Sequence, residues 1–277
     1  MRILITGGSG FVGRHLIPRL SHHDVIAPTR EELDLGKSPD TWKLPKDVDI
    51  VIHAAAQIDA GDPSLMARIN VQGTKALVRW ASAAGAPLFL FLSTGGVYGP
   101  RVEPADERQS LRPDGPYAET KAAAERAVLS EEERMVVQVA RLYFPFGPGQ
   151  EGRLIPRLAH SIAAATPVEI AGEVGGPFVT VTYIDDLVEA IVRVMALETS
   201  IVVNIGSETV TVQSLAVTIG DLIGIKPRFT VRCEGAERNY AANTDLLRRR
   251  TGFVPSVPLR EALHRTLGVS RGIRNSS

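Results

Sequence analysis

The sequence predicts an α/β fold, a parallel and doubly wound sheet covered by helices on both faces, with a smaller lobe following it. Short β-branched runs alternate with helical stretches through the first two thirds of the chain. Hydrophobic residues make up 44% of the sequence and aromatic residues only 5%, which predicts an aliphatic core and alanine-rich helices. The 277 residues suffice for one large α/β domain with an appended lobe.

Strands are read over 2–6, 24–27, 50–53, 88–92 and 135–141, with helices over 11–21, 63–84 and 117–129. Strand, helix, strand at that spacing requires right-handed crossovers, and hence a parallel sheet buried on both faces. Pro18 falls inside the first helix, where it removes one backbone hydrogen bond and predicts a local kink. Beyond Pro145 the texture changes, as Gly147-Pro148-Gly149 and the segment 172–177 interrupt helices at 154–165 and 185–196. The expected division is a first domain over 1–150 and a substrate lobe over 151–270, interleaved where a strand at 202–205 can return to the main sheet. Residues 271–277 read as a flexible tail.

Composition excludes several function classes. Lys plus Arg and Asp plus Glu each total 31, so no overall field draws the chain to nucleic acid or to an anionic membrane. The single cysteine, Cys233, cannot form an internal disulfide and has no metal-ligand spacing around it; a partly buried thiol and no metal site are expected. The apolar stretch at the N-terminus is far too short for a signal peptide, and no run approaches the ~18 apolar residues of a membrane span. A cytoplasmic protein is expected.

The run Thr6-Gly7-Gly8-Ser9-Gly10-Phe11-Val12-Gly13 lies between the first strand and the first helix, with Gly7, Gly10 and Gly13 at even spacing. Gly7 and Gly10 let the backbone turn tightly and approach a pyrophosphate, whose charge meets the helix N-terminus opened by Phe11 and Val12. Gly13 lets the helix pack close to the strand. In this strand-loop-helix setting the run predicts a Rossmann dinucleotide site. At the end of the second strand, where a carboxylate would grip the ribose 2'-hydroxyl of NAD, the chain has Pro28-Thr29-Arg30. With no carboxylate there and Arg30 able to bind a 2'-phosphate, NADP is favoured over NAD; the alternative for Arg30 is a solvated turn residue beside Glu31 and Glu32. Asp34 and Leu35 stand within reach of the adenine, and Ala54, Ala55 and Ala56 are small enough to admit the cofactor closely.

Tyr117 and Lys121 are four residues apart, hence on one face of a helix. That geometry lets Lys121 hydrogen-bond the nicotinamide ribose and lower the phenol pKa, so that Tyr117 exchanges a proton with a substrate hydroxyl or carbonyl.

With these residues in place the chain resembles the extended short-chain dehydrogenase/reductase family, in its NAD-dependent epimerase/dehydratase branch. The matching residues run in order along nearly the whole chain: Thr6 to Gly13, His53-Ala54-Ala55-Ala56, Asn70-Val71-Gln72-Gly73-Thr74, Leu92-Ser93-Thr94-Gly95-Gly96-Val97-Tyr98-Gly99, Tyr117 to Lys121, Arg141-Leu142-Tyr143 and Tyr183-Ile184-Asp185-Asp186. The resemblance implies a sheet of about seven strands and a nicotinamide cofactor that Asn70 and Tyr143 also contact. It implies Thr94 as the third catalytic residue, polarising the substrate oxygen that Tyr117 protonates, with neighbouring Ser93 facing cofactor or backbone. It further implies a homodimer in which helices 63–84 and 117–129 pack against their symmetry mates. Alanines at 118, 122, 123, 124 and 127 agree with close helix approach, although high helix propensity alone explains them equally.

Departures from the family pattern narrow the chemistry. The 4,6-dehydratases carry an Asp-Glu pair where this chain has Gly95 and Gly96, so elimination of water by that route is not expected. Sugar-nucleotide members carry an Asn at the position of Phe144 and an Arg near Val179, both on the diphosphate. Arg153, Arg157, Arg238 and Arg248 to Arg250 are the basic residues that could compensate, although a solvated surface arginine is the favoured reading of each. The expected function is an NAD(P)-dependent oxidoreductase or epimerase moving hydride to or from a carbinol or keto carbon of a sugar-like substrate, with nucleotide sugars among the candidates. The alternative is an NADP-sensing regulator without catalysis, a role that would need none of Thr94, Tyr117 and Lys121.

Overall fold

The computed structural model describes residues 1–58, 61–171, 175–232 and 239–268. Its first half runs β1 (Arg2–Thr6), α1 (Phe11–Arg19), β2 (Asp24–Ile26), β3 (Ile50–His53), α2 (Pro63–Ala67), α3 (Thr74–Ala83), β4 (Leu88–Thr94), α4 (Pro116–Leu129) and β5 (Val136–Leu142). Its second half runs β6 (Pro145–Phe146), α5 (Leu154–Ala163), β7 (Val168–Ala171), β8 (Phe178–Tyr183), α6 (Ile184–Met195), β9 (Ile201–Ile205), β10 (Glu208–Thr211), α7 (Val212–Ile223), β11 (Phe229–Arg232), α8 (Asp245–Thr251) and α9 (Leu259–Leu267).

The central sheet has the order β2-β1-β3-β4-β5-β9, every pair parallel. Because side chains alternate across a strand, Ile3 and Ile5 join Leu16, Leu187 and Ile191 on one face, while Leu4 joins Leu77, Phe89 and Val128 on the other. Both faces are therefore closed to water, which is why these strands read as continuous apolar runs. The sheet has six strands where the resemblance implied about seven. Between β2 and β3 the chain forms turns and a single 3-10 turn at Pro39–Thr41, since prolines and a charged stretch at 30–32 leave no alternating run to pair beyond β2.

Two helices differ from their expected course. Pro18 sits in the last turn of α1, which ends at Arg19 instead of bending and continuing to 21. The stretch 63–84 is helical but contains a π turn at Arg68–Gly73 between α2 and α3. In the second half β9 pairs with β5 at the sheet edge, so residues on both sides of 150 share one sheet. The rest builds a three-stranded sheet, β10-β8-β6, and a two-stranded one, β11-β7. Among the described residues no helix is long and apolar enough to cross a membrane, and no group of three or more His, Cys, Asp or Glu could hold a metal ion. Cys233, Arg238 and the segment 271–277 lie outside the described residues.

Candidate active site

The carboxyl ends of β1, β3, β4 and β5 open into one cleft of about 1410 Å³, the place where open parallel sheets receive ligands. The glycine loop forms one wall. Gly7 has φ +70°, and a Cβ on it would lie 2.7 Å from the amide nitrogen of Ala55; a Cβ on Gly13 would overlap the Gly7 carbonyl. These positions are glycine because backbone meets backbone there, and the loop is closed by the Gly10 amide donating to the Gly7 carbonyl at 2.9 Å. The same cleft is lined by Phe11, Val12, Thr29, Arg30, Asp34, Leu35, Ala54, Ala55, Ala56, Thr94, Tyr117, Lys121 and Tyr143.

Asn70 is not among the lining residues. It is buried in the π turn, where its carboxamide accepts the Gln57 amide at 2.7 Å and donates to the Gln57 carbonyl at 2.8 Å and to Thr120 Oγ1 at 3.0 Å. Its polar atoms are spent bracing the loop after β3 against α4, so it positions the site and does not face it. Asp34 lines the cleft with one carboxylate oxygen already accepting the Gly36 amide at 2.9 Å.

Thr94 ends β4, and its Oγ1 accepts the Gly96 amide at 3.1 Å, which leaves the hydroxyl proton free to donate. Ser93 lines the cleft, and its hydroxyl donates to buried Glu125. Tyr117 and Lys121 occupy successive turns of α4, started by Pro116 after Gly115. Burial pushes the Tyr117 phenol up to about 12, with Arg153 the cation opposing that shift. Lys121 is buried with Nζ 3.9 Å from the centroid of the Phe91 ring, and desolvation brings its ammonium down to about 7 against the pull of Glu125. The lowering of the phenol expected from the sequence is not seen in the free protein, where burial keeps Tyr117 above its ordinary value.

Beneath these residues lies a buried polar lattice. The Glu125 carboxylate takes the Arg141 guanidinium through Nη2 at 2.7 Å and Nε at 3.1 Å, Arg141 donates to the Tyr98 hydroxyl at 2.6 Å, and Tyr98 donates to Asn204 at 3.0 Å. It joins α4 to β5 and β9. On the other side His53, fully buried and held well below its ordinary pKa by desolvation, bridges Thr6 Oγ1 at 2.6 Å and Thr74 Oγ1 at 2.8 Å.

A Cβ at Gly95 would overlap the Tyr143 ring, whereas one at Gly96 would meet only ordinary contacts. Phe144 lines the cleft with φ +31° and its ring edge-on to Tyr240 at 6.1 Å, while Val179 is buried in β8 and does not reach the cleft. Arg153 and Arg157, read from the sequence as surface residues, both line the cleft from the start of α5. Their four-residue spacing just after a Gly-rich segment was the available signal.

A glycine loop at the carboxyl edge of a parallel sheet, facing a helix-borne tyrosine and lysine, defines a Rossmann protein of the short-chain dehydrogenase/reductase class. The chain belongs to the NAD dependent epimerase/dehydratase family, whose model matches residues 3–206. It is 28% identical to UDP-glucuronic acid decarboxylase 1 of Xenopus tropicalis over 96% of this chain and 71% of that protein. Among solved structures it is similar to MoeE5 in complex with UDP-glucuronic acid and NAD, with TM-score 0.83, 27% identity, and 98% and 99% of the two chains covered. It is likewise similar to RMD from Pseudomonas aeruginosa complexed with NADPH, with TM-score 0.84, 28% identity, and coverage of 96% and 97%.

Proposed function

We propose that the protein binds NAD or NADP in this cleft and works as an oxidoreductase or epimerase on a carbinol or keto carbon of a sugar-like substrate, nucleotide sugars included. The observation that carries this reading is the convergence of Thr94, Tyr117 and Lys121 on the cleft walled by the glycine loop. When bound, the nicotinamide supplies or accepts hydride. The glycine-loop amides and the N-terminus of α1 are placed to hold a pyrophosphate, and Lys121 to donate to a ribose hydroxyl. Thr94 donates to the substrate oxygen, and Tyr117 gives its proton to that oxygen or takes one from it. A regulator that only sensed the cofactor would need no such convergence.

Dehydration by an acid and base following Thr94 is disfavoured by Gly95 and Gly96, and the Tyr143 ring fills the room an acid at Gly95 would need. Reductase and epimerase use the same residues. They separate experimentally by whether purified protein retains cofactor and turns over without added reductant, in a screen of sugar nucleotides and free sugars followed by nicotinamide absorbance. An absence of turnover on every substrate, with cofactor bound, would favour the regulator.

Nucleotide sugars are supported by Arg153 and Arg157, which offer two guanidinium groups to a diphosphate where Phe144 and Val179 offer none. Arg153→Ala and Arg157→Ala should each raise KM for such a substrate by roughly 10- to 100-fold, the worth of a hydrogen bond to a charged group. Unchanged KM in both variants would remove the diphosphate from this corner.

The homodimer is proposed through α3 and α4, where Ala123 and Ala127 are only half-buried within one chain. Twofold homo-oligomers are the commonest assembly. Sedimentation equilibrium should return twice the chain mass of 29.8 kDa, and Ala123→Glu should return a single chain by burying an unpaired charge. A wild-type mass of one chain would exclude the dimer.

A further inference from the structure

We infer that Phe91 is a positioning residue for Lys121: the face of its buried ring seats the lysine ammonium at the edge of the cleft, charged and with its N–H groups free to donate. The inference rests on the role proposed for Lys121 and deepens it. Phe91 has no exposed surface, and alternation along β4 puts it on the same face as Ser93, toward α4. Lys121, one turn past Tyr117, carries its Nζ to 3.9 Å from the centroid of the Phe91 ring. A cation so placed is drawn to the negative face of the ring quadrupole, most strongly where water is excluded. Among the described residues no hydrogen bond or ion pair reaches Nζ, since the Glu125 carboxylate, one turn further along α4, is taken by Arg141 and Ser93. A carboxylate or carbonyl partner would claim an N–H for itself. A ring face claims none, and leaves the donors to the cleft.

Burial strips the ammonium of its hydration and brings it down to about 7, with Glu125 opposing the fall. The other groups around it add no charge that could take the ring's place. Burial keeps Tyr117, on the same helix, protonated through the neutral range, and Arg141 on β5 is neutralised by Glu125. His53 faces Phe91 across β3 and β4, its ring 5.5 Å away and tilted by 31°. Both its nitrogens are bonded to threonine hydroxyls and desolvation holds it neutral, so no second cation competes for the ring. Arg68, Lys75 and Arg79, on the helical stretch beside α4, are exposed to solvent. Phe91 is thus the short-range contact that offsets desolvation.

NMR of isotopically labelled lysine Cε follows the titration of Lys121 in the protein free of cofactor, its signal assigned by loss in Lys121→Met. The ammonium is present below the midpoint and lost above it, and wild type should titrate near 7. Phe91→Leu keeps the site apolar but removes the ring face, and a ring-trifluorinated phenylalanine at position 91 keeps the ring but withdraws electron density from its face. Each should lower the midpoint by about one pH unit. A role in packing alone would lower the urea midpoint of Phe91→Leu and leave the lysine titration in place. An unchanged titration in both proteins, or a shift in Phe91→Leu that the fluorinated ring does not reproduce, overturns the inference. NADH, followed by its fluorescence, should bind the fluorinated protein roughly fivefold more weakly at pH 7, the drop in charged fraction that such a shift implies. Failure of NADH to bind wild type overturns the dinucleotide reading, whereas the lysine titration still decides the role of Phe91.

Discussion

Tyr117→Phe is expected to lower turnover by roughly 10²- to 10⁴-fold while cofactor affinity stays near wild type. In the proposed reaction the phenol is the acid or base at the substrate oxygen, and its removal leaves the glycine loop, Lys121 and the α1 N-terminus intact. Burial holds the phenol at about 12 in the free protein, so its proton is present throughout the neutral range. Lys121→Ala should behave differently, weakening cofactor binding and turnover together, because its Nζ lies buried at the cleft and is proposed to hold the ribose. Steady-state kcat and a fluorescence titration of cofactor distinguish the two patterns. A Phe variant with wild-type turnover would take Tyr117 out of the chemistry.

Glu125→Ala should destabilise the fold by about 3–5 kcal/mol, the usual cost of breaking a buried ion pair from one side. Its partner Arg141 is almost wholly buried in β5, and without the carboxylate its guanidinium keeps only the Tyr98 hydroxyl. Ser93 loses its acceptor at the same time. The measurement is urea unfolding, read as a lower midpoint at constant slope. A loss below ~1 kcal/mol would mean that water enters and solvates the arginine. Lys121 sits one helical turn from Glu125, so the same substitution should also remove the anion that supports its ammonium.

Much of this was legible in the linear chain, and the reason is local. β1, β3 and β4 are apolar runs bounded by turns, and the glycine loop states its function through spacing that only close backbone packing explains. Tyr117 and Lys121 declare themselves through helical period. What was not legible depends on residues meeting from far apart. Nothing near Asn70 says that its carboxamide belongs to Gln57 and Thr120, and nothing near Glu125 says that Arg141 will reach it from the next strand. Arg153 was one of several basic residues the sequence offered, and only the fold singles it out by turning the start of α5 toward the cleft, where it stays exposed.

The return of β9 to the edge of the sheet has a consequence for how the molecule is made. β5 is complete by residue 142, but its outer neighbour begins only at residue 201. During synthesis a strand with six of its seven residues destined for the interior must wait, one row of amides and carbonyls unpaired, while almost sixty further residues emerge. Such an edge is a template for another chain, and long-range parallel pairing is intrinsically slow. The nascent protein is thus most exposed to misassociation over that interval, and a genetic split near residue 150 would make the hazard permanent in the N-terminal fragment.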